Sequence, residues 1–209
     1  MDDATSRDSS ATCPMRAFSL VELLVVIAIV AMLMGILLPA LTRARDAGRA
    51  AICASNIRQL AIANTAYSVS HRGYYVPGAA NLLANRDRWH GYRDNVSEPF
   101  DPTRGPLWPY FEHAQLKQCP EFIDYLSSFE AGNGGYGYNN EYVGRDRRAY
   151  VATRLGARSH WFTDPTRTVM FTDAATTLLT THAVYVEYSF AEPPLFTFGP
   201  ADPSIHFRH

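Results

Sequence analysis

The sequence predicts an α+β protein in which a long N-terminal helix spans a membrane with its first half and packs with its second half on an antiparallel β-sheet, with long irregular loops between. Three observations carry this. Residues 18–38, FSLVELLVVIAIVAMLMGILL, are apolar apart from Ser19 and Glu22, and at 1.5 Å per residue they make a helix of about 30 Å, the thickness of a bilayer core. Residues 40–70 then switch to an amphipathic pattern, and the last third carries runs rich in β-branched and aromatic residues. The expected division is 1–17, a polar leader; 18–38, the membrane helix; 39–72, its amphipathic continuation; and 73–209, a loop-rich head with a C-terminal sheet.

Residues 1–17, MDDATSRDSSATCPMRA, have no periodicity and are expected to be disordered. Met15 offers a second start that leaves a very short leader. In the apolar run that follows, Glu22 is the anomaly. An ionised carboxylate costs at least roughly 2.5 kcal/mol in hydrocarbon on the insertion scale, so its presence asks for a partner charge. A secretory signal peptide has a shorter apolar core and a small-x-small cut site, and this run has neither. Arginines flank both ends, Arg7 and Arg16 before and Arg43, Arg45 and Arg49 after, so charge alone does not set the orientation.

The string Arg16-Ala-Phe-Ser-Leu-Val-Glu22 resembles the processing site of type IV prepilins and type II secretion pseudopilins. That resemblance implies a pilin-like fold, cleavage between Ala17 and Phe18 by a prepilin peptidase, and N-methylation of Phe18. It also implies Glu22 as the acid that neutralises the Phe18 ammonium of a neighbouring subunit. The family usually has Gly before the cut, where this chain has Ala17. Further partners implied are other pilin or pseudopilin subunits, an inner-membrane assembly platform and membrane lipid, with the leader cytoplasmic and the head extracytoplasmic. Segments at Cys53-Ala-Ser-Asn-Ile-Arg-Gln-Leu-Ala61, QLKQCPEF, GGYGYNNEYVG and DPTRTVMFTDAA resemble a prepilin-type family whose C-terminal processing-associated motif is His, nine residues, then Asp-Gly. Phe-Arg-His209 is how that motif begins; if His209 is that His, the resemblance implies that the Asp-Gly portion and the last strand are absent from this chain.

Pro39 has no N–H and its ring crowds the carbonyl of Gly35, which predicts a kink or a melted turn over 35–39. Beyond it Ala50, Cys53, Ile57, Leu60, Ala61, Asn64 and Tyr67 form an inward stripe, with small residues such as Ala51, Ala54 and Ala63 expected to let a sheet approach. The helix is expected to end near His71-Arg-Gly73, a basic last turn followed by Gly. Residues 74–148 read as turns and extended chain, pinned by Phe100, Trp108, Tyr110 and Phe111. Thr166–Asp173 and Ala183–Phe190 read as antiparallel neighbours, with 150–155 as a third strand and 195–198 as a short edge strand.

The formal net charge of −1 argues against a nucleic-acid partner. Cys13 lies in the leader, leaving Cys53 and Cys119, a candidate disulfide if the head is exported and two buried thiols otherwise. Cys53 is on the inward stripe, and pairing closes a long loop. His206 and His209, near Asp202, could face one way as metal ligands but have no companion motif, and a frayed terminus is the simpler reading. Asp164 and Asp173 could serve a calcium site, but without a D-x-D-x-D run they read as a turn cap and a strand terminator. GNGGYGYNN opens no apolar helix and is turn-forming rather than phosphate-binding. No catalytic residue, metal site or cofactor is therefore expected. The reading is a structural filament subunit, not an enzyme; the alternative is a membrane-tethered binding domain that recognises a polymer or ligand through its loop-rich, aromatic 74–148 region.

Overall fold

The computed structural model describes residues 19–81, 84–111, 118–122, 130–145, 155–179, 183–192 and 204–205. The Ala17–Phe18 junction, most of the 150–155 segment, the 195–198 segment, Asp202, His206 and His209 lie outside the described residues. The chain divides into two units, Met1–Arg45 and Asp46–His209.

The first described element is helix α1, Leu20–Ser70. Its start has a local cause. Ser19-Leu-Val-Glu22 has the form of a capping box, and the Ser19 N–H donates to Glu22 Oε2 at 2.9 Å, so one orphan donor of the first turn is satisfied. The acid also complements the positive end of the helix dipole. The expected melted turn at 35–39 is absent, since α1 continues through Gly35 and Pro39 without interruption. Pro39 removes one hydrogen bond, and the residues around it (Ile36, Leu37, Leu38, Ala40, Leu41) are apolar helix formers that carry the ladder past it.

Within the second unit α1 buries Cys53, Asn56, Leu60, Ala63, Asn64 and Ser68. Of the expected inward stripe Cys53, Leu60 and Asn64 are buried and Ala50, Ile57, Ala61 and Tyr67 are half-buried, and half of the buried set is polar. Ala51 and Ala54 are exposed, and only Ala63 of the three makes a close approach. The basic pair His71-Arg72 falls just past the last turn rather than within it. Arg72 and Gly73 both take left-handed backbone, φ 56° and 83°, and the Gly73 N–H closes on Ser68 O at 2.8 Å.

Among the described residues the antiparallel structure of the head is three two-stranded ribbons. Strands β1 (Asp87–Arg88) and β2 (Gly91–Tyr92) pair with each other. β3 (Tyr136–Tyr138) pairs with β4 (Phe171–Asp173), Gly137 opposite Thr172. β5 (Thr176–Leu179) pairs with β6 (Ala183–Val186), Thr176 opposite Val186. The expected pairing of 166–173 with 183–190 is therefore wrong: β4 takes its partner from the Gly-rich segment read as turn. Pro165–Arg167 is a short 3-10 turn instead of strand, because Pro165 cannot donate to a ladder. The alternation expected over 183–190 holds for exposed Tyr185 and buried Val186 and stops there, with Ser189 and Phe190 both buried.

Gly137 lets three segments meet. A Cβ there falls 2.4 Å from the Ala174 Cβ and 2.8 Å from the Phe190 carbonyl carbon, so the Tyr-Gly-Tyr strand is squeezed between β4 and the 190 bridge. Tyr136 and Tyr138 flank it, fully buried, and reach α1: Asn56 Nδ2 donates to the Tyr136 hydroxyl at 2.8 Å and Asn64 Nδ2 to the Tyr138 hydroxyl at 3.0 Å. Phe100 pins the irregular stretch as expected. Trp108, Tyr110 and Phe111 remain partly exposed, and the deep anchors are Trp89 and Leu107. The Trp89 indole N–H donates to Ser189 O at 2.6 Å, which satisfies the one polar atom that its burial would orphan.

Candidate functional site

In the first unit Glu22 is exposed, and so are the apolar side chains all along α1, with Leu20, Met32 and Leu33 exposing 77%, 72% and 55% of their area. Among the described residues α1 is the one helix long and apolar enough to cross a membrane, and none of its apolar window is covered within the chain. A surface of this size in contact with water is an aggregation site, so lipid or protein must cover it. Gly35 has open space where a Cβ would stand, so packing within the chain does not require glycine there.

The head brings Cys53 and Cys119 together. They are joined as a disulfide with Cα atoms 5.4 Å apart, and both are buried. A carboxylate oxygen of Asp173 lies within 4.8 Å of both sulfurs. Sulfurs bonded to each other offer no thiolate to a metal, so in this oxidised form the trio is not a metal centre. Asp173 closes β4, and Asp164 starts the 165–167 turn with its carboxylate accepting from the Thr166 hydroxyl at 2.6 Å. The glycine loop has its own internal anion: Gly132 and Gly134 N–H groups donate to the Glu187 carboxylate at 2.8 and 3.1 Å.

A buried polar network is the feature that sequence reading missed. Arg88 donates to Glu130 through Nε, at 3.1 and 2.9 Å, and through Nη2, at 2.6 Å. Both side chains are almost wholly enclosed, 3% and 2% exposed. The Ser189 hydroxyl donates to Glu130 Oε2. Having given its one proton, Ser189 can only accept from His90, so His90 Nε2 carries the hydrogen across 2.8 Å and Nδ1 is the unprotonated nitrogen. Burial, followed by the nearby Arg88 and Arg93 charges, pulls the His90 pKa down to about 3. The guanidinium of Arg93 lies 4.0 Å from the Phe100 ring centroid, and that of Arg88 5.3 Å from Phe190.

Serine, histidine and glutamate in one cluster invite a catalytic reading, which the geometry opposes. Ser189 is fully enclosed and its proton points at Glu130, away from the base, while His90 Nδ1 has no partner among the described residues to orient it as a triad acid would. The network therefore holds the 88–90, 130 and 189 segments together. No spacing rule could have found it, because its three segments are dozens of residues apart.

Residues 14–38 match the family model described as the prokaryotic N-terminal methylation motif. The motif and the uncovered membrane-length helix, the one such helix among the described residues, together support a type IV prepilin-like N-terminus that anchors the chain in a membrane. The motif implies processing by prepilin peptidase and assembly with other pilins. No curated protein and no solved structure matches the chain. The match ends at Leu38, so the head is read from its own geometry.

Proposed function

We propose that the chain is a structural prepilin-type subunit, cleaved between Ala17 and Phe18, N-methylated on Phe18 and assembled into a type IV pilus-like or type II secretion pseudopilus filament. The supporting observation is the coincidence of the methylation motif with a helix whose apolar side chains find no cover in their own chain. Lipid covers them in the inner membrane, and the helices of other subunits cover them after extraction by an assembly platform. Exposed Ile52, Ile62 and Val69, off the buried stripe of α1 in the head, extend the same kind of surface.

Glu22 has two partners in this reading. In the lone subunit it caps Ser19; in the filament it turns to the Phe18 ammonium of a neighbour, whose loss would leave a buried charge unpaired. Gly35 and Pro39 supply a weak place in the ladder where α1 bends as subunits pack. With the head in the periplasm, an oxidising compartment, the Cys53–Cys119 bond is maintained. N-terminal sequencing and intact-mass measurement of the mature protein test the reading. The expected product begins at methylated Phe18, and a retained leader in a host with an active prepilin peptidase overturns it.

A further inference from the structure

Filament assembly gives no role to a trough on the head between residues 139 and 168. One cleft of about 510 Å³ is lined by Tyr142, Arg145, Trp161, Phe162, Asp164 and Arg167, among others. A second of about 390 Å³ shares Tyr142, Phe162, Arg167 and Thr168 with it, so the two adjoin. Each lies within the range of about 300–1,000 Å³ typical of small-ligand sites.

Its aromatic walls are fixed in advance. Trp161 stands edge-on to Tyr74 with centroids 6.5 Å apart, and Phe162 edge-on to Tyr75 at 5.8 Å. Tyr74 is itself covered by the Arg158 guanidinium at 4.5 Å. The cations beside these rings are held loosely. Arg145 meets Glu141 at 3.4 Å, and Arg167, its side chain 86% exposed, meets Asp164 at 4.0 Å. Neither contact uses a guanidinium fork to capacity, and a bidentate carboxylate would. Thr163 and Thr168 add hydroxyls, and Asp164 adds an acceptor.

We propose that this trough binds an acidic oligosaccharide, a short chain of sugar units that bear carboxylates. The C–H faces of such sugars lie on the Tyr142, Trp161 and Phe162 rings, their hydroxyls meet Asp164 and the threonines, and their carboxylates meet Arg167 and Arg145. A polyphosphate would leave the Tyr142, Trp161 and Phe162 rings unused, and a neutral glycan would leave the arginine forks unused.

The test uses the full chain in lipid nanodiscs, titrated calorimetrically with oligogalacturonate, with a maltooligosaccharide of equal length and with a single-stranded DNA oligonucleotide. Oligogalacturonate is expected to bind saturably, with Arg167→Gln and Arg145→Gln each weakening it about tenfold, as loss of a charge-assisted pair does. Arg58→Gln, at an exposed site on α1, should leave binding unchanged. Both trough arginines are surface groups, so these variants keep the fold. No binding of oligogalacturonate, equal binding of the neutral glycan, tighter binding of DNA, or indifference to the two arginine variants each overturns the proposal. A failure here leaves the filament reading untouched, because the processing experiment has a separate readout.

Discussion

In α1 ahead of Asp46 the apolar side chains are the surface: Leu20, Met32 and Leu38 are mostly exposed, and the one acid, Glu22, sits among them. In the head the arrangement is reversed, with Glu130, Arg88 and His90 inside beside Trp89 and Tyr138. The two glutamates are chemically identical and physically opposite. Glu130 is enclosed and fully engaged by Arg88 and Ser189, so its charge is settled within the chain. Glu22 has one backbone N–H and open surroundings, so its charge can be answered from outside. The head is built to be complete by itself, and the anchor is built to be completed by something else.

The largest expected effect tests the first half of that contrast. Glu130→Ala leaves the Arg88 guanidinium buried without its acid, and removing one partner of such a pair costs about 3–5 kcal/mol. A denaturant titration of the full chain in detergent should show the head midpoint falling accordingly. The double variant Arg88→Met/Glu130→Leu should recover most of the loss, because it removes both desolvated charges. If the single variant proves neutral, the network is not what joins the 88–90, 130 and 189 segments.

Next in size is the cross-link. Cys53 and Cys119 are separated by 66 positions, and the chain-entropy estimate for a loop of that order is about 4 kcal/mol. Cys119→Ser, or reduction of the wild type, should lower head stability by about that amount and leave membrane insertion unchanged. A much smaller loss on reduction would mean that Phe122 and its neighbours hold the 118–122 segment in the core without the bond.

How much of this was legible beforehand follows the range of the forces involved. The anchor and the inward stripe of α1 could be read because period and composition are local, and Cys53, Leu60 and Asn64 recur along one helix. Ser19-x-x-Glu22 is an equally local capping box, in which one acid serves both as cap and as charge. β3 was hidden because Gly134, Gly135 and Gly137 read as turn, whereas Gly137 is glycine to admit Ala174 and Phe190. The network was illegible: Arg88 and Glu130 lie 42 positions apart and Glu130 and Ser189 lie 59 apart, each in its own irregular segment. Strand pairing failed for the same reason, as adjacency in sequence favoured 166–173 with 183–190 and the fold placed 136–138 between them.

A smaller effect appears with acid. His90 is neutral in the native head, its pKa held down at about 3, while in the unfolded chain it titrates near its ordinary 6.5. Between those values the unfolded state takes a proton that the native state refuses. The stabilisation is therefore complete above about pH 6.5 and declines as pH falls toward 3, by about 1.4 kcal/mol per pH unit at the steepest. Denaturant midpoints measured from pH 7 to pH 4 should fall in the wild type, and His90→Gln should flatten the part of the slope that His90 contributes. An unchanged slope in that variant would assign the acid sensitivity to the carboxylates instead.

The smallest expected effect on the head is the most informative about the anchor. Glu22→Ala removes one hydrogen bond to an exposed Ser19 N–H, which frays the first turn of α1 and leaves the head midpoint where it was. Insertion into the membrane should be unaffected or improved, because a carboxylate no longer has to enter hydrocarbon. Assembly should fail, since a neighbouring Phe18 ammonium brought into the filament core would meet no counter-charge. Glu22→Gln separates the two roles of the acid: the amide oxygen can still accept from Ser19 and keep the cap, but it carries no charge. If Gln restores filament incorporation, measured by crosslinking and shearing of surface filaments, Glu22 is a helix cap and nothing more. If Gln fails as Ala does while both insert normally, the carboxylate is there for a partner that its own chain does not provide.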